Sequence, residues 1–382
     1  MNWIAANVLL WLLLEALAAV AFFLSKKGSD ARKLSFGFFI VFAFLLSLGG
    51  YHLLVSAPGL EETDKERDRD KSKPIAKHLD RLRADWDSEE RADWPVAETL
   101  ALFCHIAYQP PVDAKDSFQK LGVDSVETVV DGSMVGYVIA VADVTVVVFR
   151  GTDDNFDWFC NLNSLTTPTT QGPIHRGFHG SYLPLRPQIV KLVDRQRSKH
   201  LWLTGHSLGG ALAVVCAHDL IDNERREVRG VMTFGQPMVA GEQLAIHLDR
   251  VLLGKFAHFV NESDIVARIP PFLKHCGSLV WFTQGEVRRS RPKRVVFGTG
   301  NKNQPPVSQD DVLPPVSERE FEQAKEAVRK QRKPRKLPDG TPVYEGNSPL
   351  LKDHSIDLYL EQIRKHSGGV GALLPPGREG GK

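Results

Sequence analysis

Residues 201 to 220 read LWLTGHSLGGALAVVCAHDL. LWLT has the continuous apolar character of a strand buried on both faces, and ALAVVCAHDL, free of proline and glycine, reads as a buried helix. Between them Gly205-His206-Ser207-Leu208-Gly209 fits G-x-S-x-G, a pattern that carries meaning only when a strand precedes it and a helix follows, as here. A serine that must stand above the end of a sheet occupies a sharp turn, in which side chains two residues to either side would collide. Gly205 and Gly209 meet that requirement, and Gly210 and Ala211 allow the helix to pack closely. Ser207 is therefore the expected nucleophile. His206 points elsewhere in so sharp a turn, and a packing or supporting contact is the role expected of it.

Working outward, VETVV, MVGYVIAV and VTVVVF between Val126 and Phe149 are rich in β-branched residues and are separated by Asp-Gly and Ala-Asp turns, so they read as strands. YLPLRPQIVKLVDRQR is helical in pattern and leads into the serine segment. VRGVMTFG is a further strand, GEQLAIHLDR a helix, and KFAHFV another strand. Strands alternating with helices imply an α/β domain with a mostly parallel sheet, whose ligands bind at the carboxyl ends of the strands.

The motifs Phe149-Arg150-Gly151-Thr152, His175-Arg176-Gly177-Phe178, the serine turn itself, Phe234-Gly235-Gln236-Pro237, the run NESDIVARIPP from Asn261, and Asp353-His354 occur in that order. On these the chain resembles the class 3 (fungal-type) lipases over roughly residues 95 to 285 and again 350 to 365. Met238 and Ala240 stand where that family commonly has Arg and Gly. The resemblance implies an α/β-hydrolase fold, hydrolysis of carboxylic esters, a Ser-Asp-His triad, and no metal or organic cofactor.

A serine hydroxyl is a weak nucleophile near neutral pH, so a histidine must take its proton and a carboxylate must orient the imidazole. In this fold they follow in the order Ser, Asp, His. Asp264 lies just past KFAHFV and matches the lipase pattern Asn-x-x-Asp-x-Val; an Asx turn is the plainer alternative. Asp219 lies three helical turns beyond the serine and points away. Of the histidines downstream, His354 follows Asp353 and opens the amphipathic helix SIDLYLEQIRK, whereas His275 is only eleven residues past Asp264 and His366 lies beyond that helix. The expected triad is Ser207, Asp264 and His354. The developing oxyanion needs donors already in place: the N–H of Leu208, and by resemblance Thr152. Phe156, Phe159, Leu162 and Leu165 recur every three residues with Trp158 alongside, at the family's lid position; a stripe of core residues is the alternative.

The rest of the chain bounds the setting. Residues 3 to 24 (WIAANVLLWLLLEALAAVAFFL) and 34 to 55 (LSFGFFIVFAFLLSLGGYHLLV) are each long enough to cross a bilayer, which takes about 20 apolar residues. They predict a two-helix transmembrane anchor over 1–55. Lys26, Lys27, Arg32 and Lys33 in the connecting turn place that turn in the cytoplasm and the catalytic domain on the non-cytoplasmic side. Residues 56 to 90, opening SAPGLEETDKERDRDKSK, read as a charged tether, and 91–285 as the hydrolase core, the pattern turning helical from Pro74 to Tyr108 and ending in ETLALFCHIAY, a helix packed on a core. Residues 286–348 form a basic, proline-rich insertion, either a solvated loop with one helix or an attachment to anionic headgroups. Residues 349–366 return to the core with the histidine, and 367–382 form a disordered tail. A net charge of +2 and the lack of an aromatic-interleaved basic motif exclude a nucleic-acid partner. The expected partners are a lipid ester and the membrane bilayer. Cys104, Cys160, Cys216 and Cys276, far apart with no Cys-x-x-Cys, read as packing thiols.

Overall fold

The computed structural model describes residues 79–83, 86, 92–152, 165–291, 313–331, 335–336, 342–343 and 351–367. The chain divides into two compact units, Met1–Asp70 and Lys71–Lys382, and all described residues fall in the second. The expected membrane spans 3–24 and 34–55, the lid stripe 156–162 and the tail from 368 onward lie outside the described residues.

Helix α1 (Trp94–Ile106) starts where the Asp93 carboxylate accepts the Val96 N–H, with Pro95 in its first turn. After α2 (Pro111–Lys120) come three antiparallel strands, β1 (Ser125–Asp131), β2 (Met134–Val141) and β3 (Val144–Phe149). The turns between them use the Asp-Gly and Ala-Asp dipeptides read from the sequence, with Gly132 and Ala142 at φ 55° and 50°. The two-residue strands β4 (Thr166–Thr167) and β5 (Ile174–His175) pair with each other, and α3 (Arg176–Tyr182) and α4 (Arg186–Gln196) follow. Then β6 (His200–His206), α5 (Leu208–Asp222), β7 (Gly230–Phe234), α6 (Glu242–Val251) and β8 (Phe256–Asn261) alternate as expected, and β9 (Ser278–Thr283) follows without an intervening α-helix. The sheet order is β1-β2-β3-β6-β7-β8-β9-β10, where β10 is Glu286–Ser290. Pairing is parallel from β3 through β9 and antiparallel at both edges, so the sheet is mostly parallel in the manner of an α/β-hydrolase.

Strand alternation divides the interior in two. Val147, Leu201, Leu203 and Val231 join the core against α5, while Val146, Val148, Trp202 and Met232 join the core against α1. A central strand covered on both faces is largely apolar, and β6 is buried from Leu201 to its end, its polar Thr204 and His206 finding hydrogen-bond partners on Cys104, Tyr108 and His354.

Two boundaries move. The tether read as ending at residue 90 already contributes Leu79, Leu82 and Trp86 to the core, where Trp202 donates its indole N–H to the Leu82 carbonyl at 2.8 Å and its ring lies 5.3 Å from that of Trp86. At the other end, the insertion read as starting at 286 supplies the edge strand β10. It also supplies α7 (Glu318–Gln331), which with Val316 places Phe321 and Ala324 in the core. Between Arg335–Lys336 (β11) and Pro342–Val343 (β12) a short antiparallel pair forms, and α8 (Ile356–Ser367) closes the chain against α1 and β8.

Leu82 is fully buried. Leu82→Ala is expected to cost about 2–5 kcal/mol of stability, as for other buried leucines, seen as a lowered urea midpoint; a tether residue would leave the midpoint unchanged.

Candidate active site

Ser207 joins β6 to α5 at φ 56° and ψ −128°, a conformation a serine adopts only when its surroundings impose it. They do. A Cβ at Gly205 would lie 2.2 Å from the Gly209 carbonyl, and one at Gly209 would lie 2.1 Å from the Phe149 carbonyl oxygen. No side chain fits at either place. The Ser207 N–H is held by the Phe234 carbonyl of β7 at 3.0 Å.

His354 sits immediately before α8, and its Nε2 is 2.8 Å from Ser207 Oγ. Its Nδ1 is 2.7 Å from Asp264 Oδ2. The sequence order 207, 264, 354 thus becomes one hydrogen-bonded chain, with all three residues shielded from solvent. Asp264 follows β8, and its carboxylate takes two more donors: the Tyr359 hydroxyl at 2.7 Å on Oδ2 and the Val266 N–H at 2.9 Å on Oδ1. A buried carboxylate needs such donors. Burial first, and then the Asp264 charge, push the Tyr359 hydroxyl well above its ordinary range, so it remains a donor.

His206 is tied on both sides. Its Nε2 lies 2.7 Å from the His354 main-chain carbonyl and its Nδ1 lies 2.7 Å from the Tyr108 hydroxyl. Burial, and next the neighbouring His354, hold its pKa well below the usual 6.5, against the opposing pull of that carbonyl. Leu208 is the first residue of α5, where main-chain N–H groups have no partner within the helix. The loop after β3 packs on this turn: Arg150 lies against Gly209, and a Cβ at Gly151 would stand 2.9 Å from the His206 carbonyl oxygen. Thr152 is the next residue.

The other candidates go elsewhere. His275 donates to the Ala267 carbonyl and stacks on His258 at 4.3 Å. His366 stacks on Trp94 at 4.9 Å. Asp219 accepts from Tyr182 and Arg186 on the outer helices. Phe156, Trp158, Phe159 and Leu162 lie outside the described residues. Among the described residues no group of three or more His, Cys, Asp or Glu is arranged to hold a metal ion. Cys104, Cys216 and Cys276 are buried. Tyr359 and Tyr108 were not singled out in the sequence. The signal for Tyr359 is its place with Ile356, Leu360 and Ile363 on the inward stripe of the helix that His354 opens.

Residues 146–274 match the family model for lipase (class 3), a narrower span than the motifs suggested. A lipase of Rhizomucor miehei is 32% identical over 36% of this chain and 41% of its own length. A secreted mono- and diacylglycerol lipase of Malassezia restricta is 33% identical over 28% of this chain and 37% of its own. The chain thus spans about two-fifths of these curated relatives. The solved lipase II from Rhizopus niveus is 23% identical with a TM-score of 0.43, covering 49% of this chain and 77% of that one.

These findings correct the expected localisation. Among the described residues no helix is long and apolar enough to cross a membrane. The relatives include a secreted lipase and a chloroplastic galactolipase of Arabidopsis thaliana. The expected integral membrane protein with an outward-facing domain is thus not supported by the described residues or by these relatives, and the segments 3–24 and 34–55 on which it rested lie outside the described residues.

A histidine held neutral makes stability depend on pH. As pH falls through about 6.5 the unfolded chain takes up a proton at His206 that the folded chain refuses, so stability present above that pH is lost on acidification. His179, lowered chiefly by burial, acts in the same direction. The melting temperature should be lower at about pH 5 than at about pH 7.5, and His206→Gln should narrow the difference; an equal difference in that variant would contradict the assignment.

Proposed function

We propose that this chain, a class 3 lipase-type α/β-hydrolase by its match over residues 146–274, hydrolyses carboxylic esters of lipids through an acyl-enzyme on Ser207. The observation that carries this is the continuous hydrogen-bonded chain Ser207–His354–Asp264, at 2.8 and 2.7 Å. Lipid esters enter through the family and through relatives whose names are those of acylglycerol lipases and a galactolipase.

In this reading His354 Nε2 accepts the Ser207 proton as Oγ attacks the ester carbonyl, and the imidazolium then returns that proton to the departing alcohol. Water, activated by the same nitrogen, releases the acid. Asp264 holds the imidazole with Nδ1–H facing it and balances the charge that forms on the ring. Tyr359 and Val266 keep the carboxylate from turning. The Leu208 N–H and Thr152 receive the oxyanion beside a triad shielded from solvent, where donors fixed in advance count for more than they would in water. Phe156, Trp158, Phe159 and Leu162 are assigned to a lid on their sequence pattern. The catalytic body runs from the segment at 79 through β10, and takes in α7 and the stretch 351–367.

Labelling with a fluorophosphonate, followed by a panel of lipid and short-chain esters, tests the assignment. Ser207→Ala should abolish labelling and lower turnover by at least about 10³-fold, with His354→Ala close behind, because triad members act as a unit. His275→Ala should retain activity; its loss would move the base earlier in the chain. A protein that cleaves only short soluble esters would remove lipid from the substrate assignment. Tyr359→Phe deletes one donor to a charged group, a bond of roughly 1.5–3 kcal/mol, and should lower kcat by about ten- to a hundredfold with KM little changed.

A further inference from the structure

We infer that His206 is a positioning residue for the acyl transfer proposed above: through a hydrogen bond to the main-chain carbonyl of His354 it sets the imidazole over Ser207, and Tyr108 fixes the tautomer that allows this. The inference rests on the triad reading and adds to it a second line of hydrogen bonds, through the main chain of the base rather than through its ring.

The tautomer follows from the partners. A carbonyl only accepts, so the proton of a neutral His206 is on Nε2, 2.7 Å from His354 O. Nδ1 then carries the lone pair, and the Tyr108 hydroxyl donates to it at 2.7 Å. With both ring nitrogens engaged, His206 cannot itself act as the base. Its ring lies over that of His354, centroids 4.7 Å apart, so bond and ring contact act on the same residue.

His354 needs such a hold because the chain reaches it from the long segment after β10 rather than from a short loop. Besides the docking of α8 on α1 and β8, specific hydrogen bonds locate it at the carboxyl ends of the strands. Asn261 donates to the Asp353 carbonyl at 3.0 Å, the Ser263 N–H reaches the Asp353 carboxylate at 3.3 Å, and His206 reaches His354 itself. The first two anchor the preceding residue; the third anchors the base. A displacement of about 1 Å in a reacting group is enough to cost on the order of a hundredfold in rate.

Tyr108 extends the line to the oxyanion side. A Cβ on Gly151 would stand 1.9 Å from the Tyr108 hydroxyl, so the loop carrying Thr152 lies directly against the group that fixes His206. Elbow, base and oxyanion loop are thereby set relative to one another through a single tyrosine–histidine pair.

The test compares the wild-type chain with His206→Phe, His206→Gln and Tyr108→Phe. It measures the second-order rate of fluorophosphonate labelling as a function of pH, kcat and KM on a soluble ester, and the melting temperature. His206→Phe fills the space without either hydrogen bond and should label at least about tenfold more slowly, the loss falling on kcat with KM within about twofold. His206→Gln retains a donor at the reach of Nε2 and should recover most of that rate. Tyr108→Phe should label several-fold more slowly. A folded His206→Phe that labels at the wild-type rate, or a His206→Gln as slow as His206→Phe, would overturn the positioning role. Should His206→Phe not fold, Tyr108→Phe decides, and an unchanged labelling rate and pH profile there would overturn it. A wild-type chain that does not label would overturn the triad reading and this inference together, whereas equal labelling of wild type and variants overturns this inference alone.

Discussion

The structure turns on the backbone of one residue. Ser207 at φ 56° and ψ −128° is strained by about 1–3 kcal/mol, and nothing in its own side chain relieves that. It persists because four elements converge on it: β6 and α5 meet at Gly205 and Gly209 with no room for a Cβ, β7 takes its N–H, and the end of β3 rests on Gly209. The strain and the close packing are therefore one feature. A loosened turn would let the serine relax to an ordinary conformation and withdraw its hydroxyl from His354.

The second constraint is electrostatic. Asp264 is fully buried, and an ionised carboxylate in such a place is tolerable only with donors around it. His354, Tyr359 and the Val266 N–H supply them. Two of the three come from the segment after residue 350, so docking of α8 on the sheet and completion of the charge network are the same event. Tyr359 also accepts the Asn261 N–H at 3.0 Å, which fixes the end of β8 that carries the aspartate. Farther along, Arg364 and Ser367 bond to Glu98 of α1 and hold the other end of α8.

Local patterns made much of this legible. The glycines around Ser207, the β-branched runs and the helix opened by His354 each announce themselves within about ten residues. Tyr108 and Tyr359 do not, because a tyrosine on an apolar helix face looks the same whether its hydroxyl meets a carboxylate, an imidazole or water. Only the partner distinguishes them, and the partner is distant in sequence. The tether was bounded too late for a different reason. Leu79, Leu82 and Trp86 recur at spacings of three and four, diluted by the charged residues between them, so that mean composition conceals the buried positions. The same dilution hides Phe321 and Ala324 in the charged helix α7, which a reading weighted by charge leaves in solvent.

That helix bears on why the base can stand so far from the nucleophile in sequence. Closing a loop costs entropy that rises only with the logarithm of its length, about 0.6 kcal/mol for each doubling. The long connection from β10 to His354 is therefore a small thermodynamic burden, and much of it is not a free loop. Val316, Phe321 and Ala324 are buried in the main core, Leu313 packs against the cluster of Val260, Ala267, Leu279 and Trp281, and Arg268 donates to the Pro314 carbonyl at 2.8 Å. Arg268 lies four residues beyond Asp264, so part of the insertion is fastened to the same loop that presents the carboxylate. What length does not supply is register, since a long connection does not by itself fix where His354 meets the carboxyl ends of the strands. The hydrogen bonds of Asn261, Ser263 and His206 to residues 353 and 354 supply that missing information, and a base brought from far away depends on them more than one carried on a tight turn.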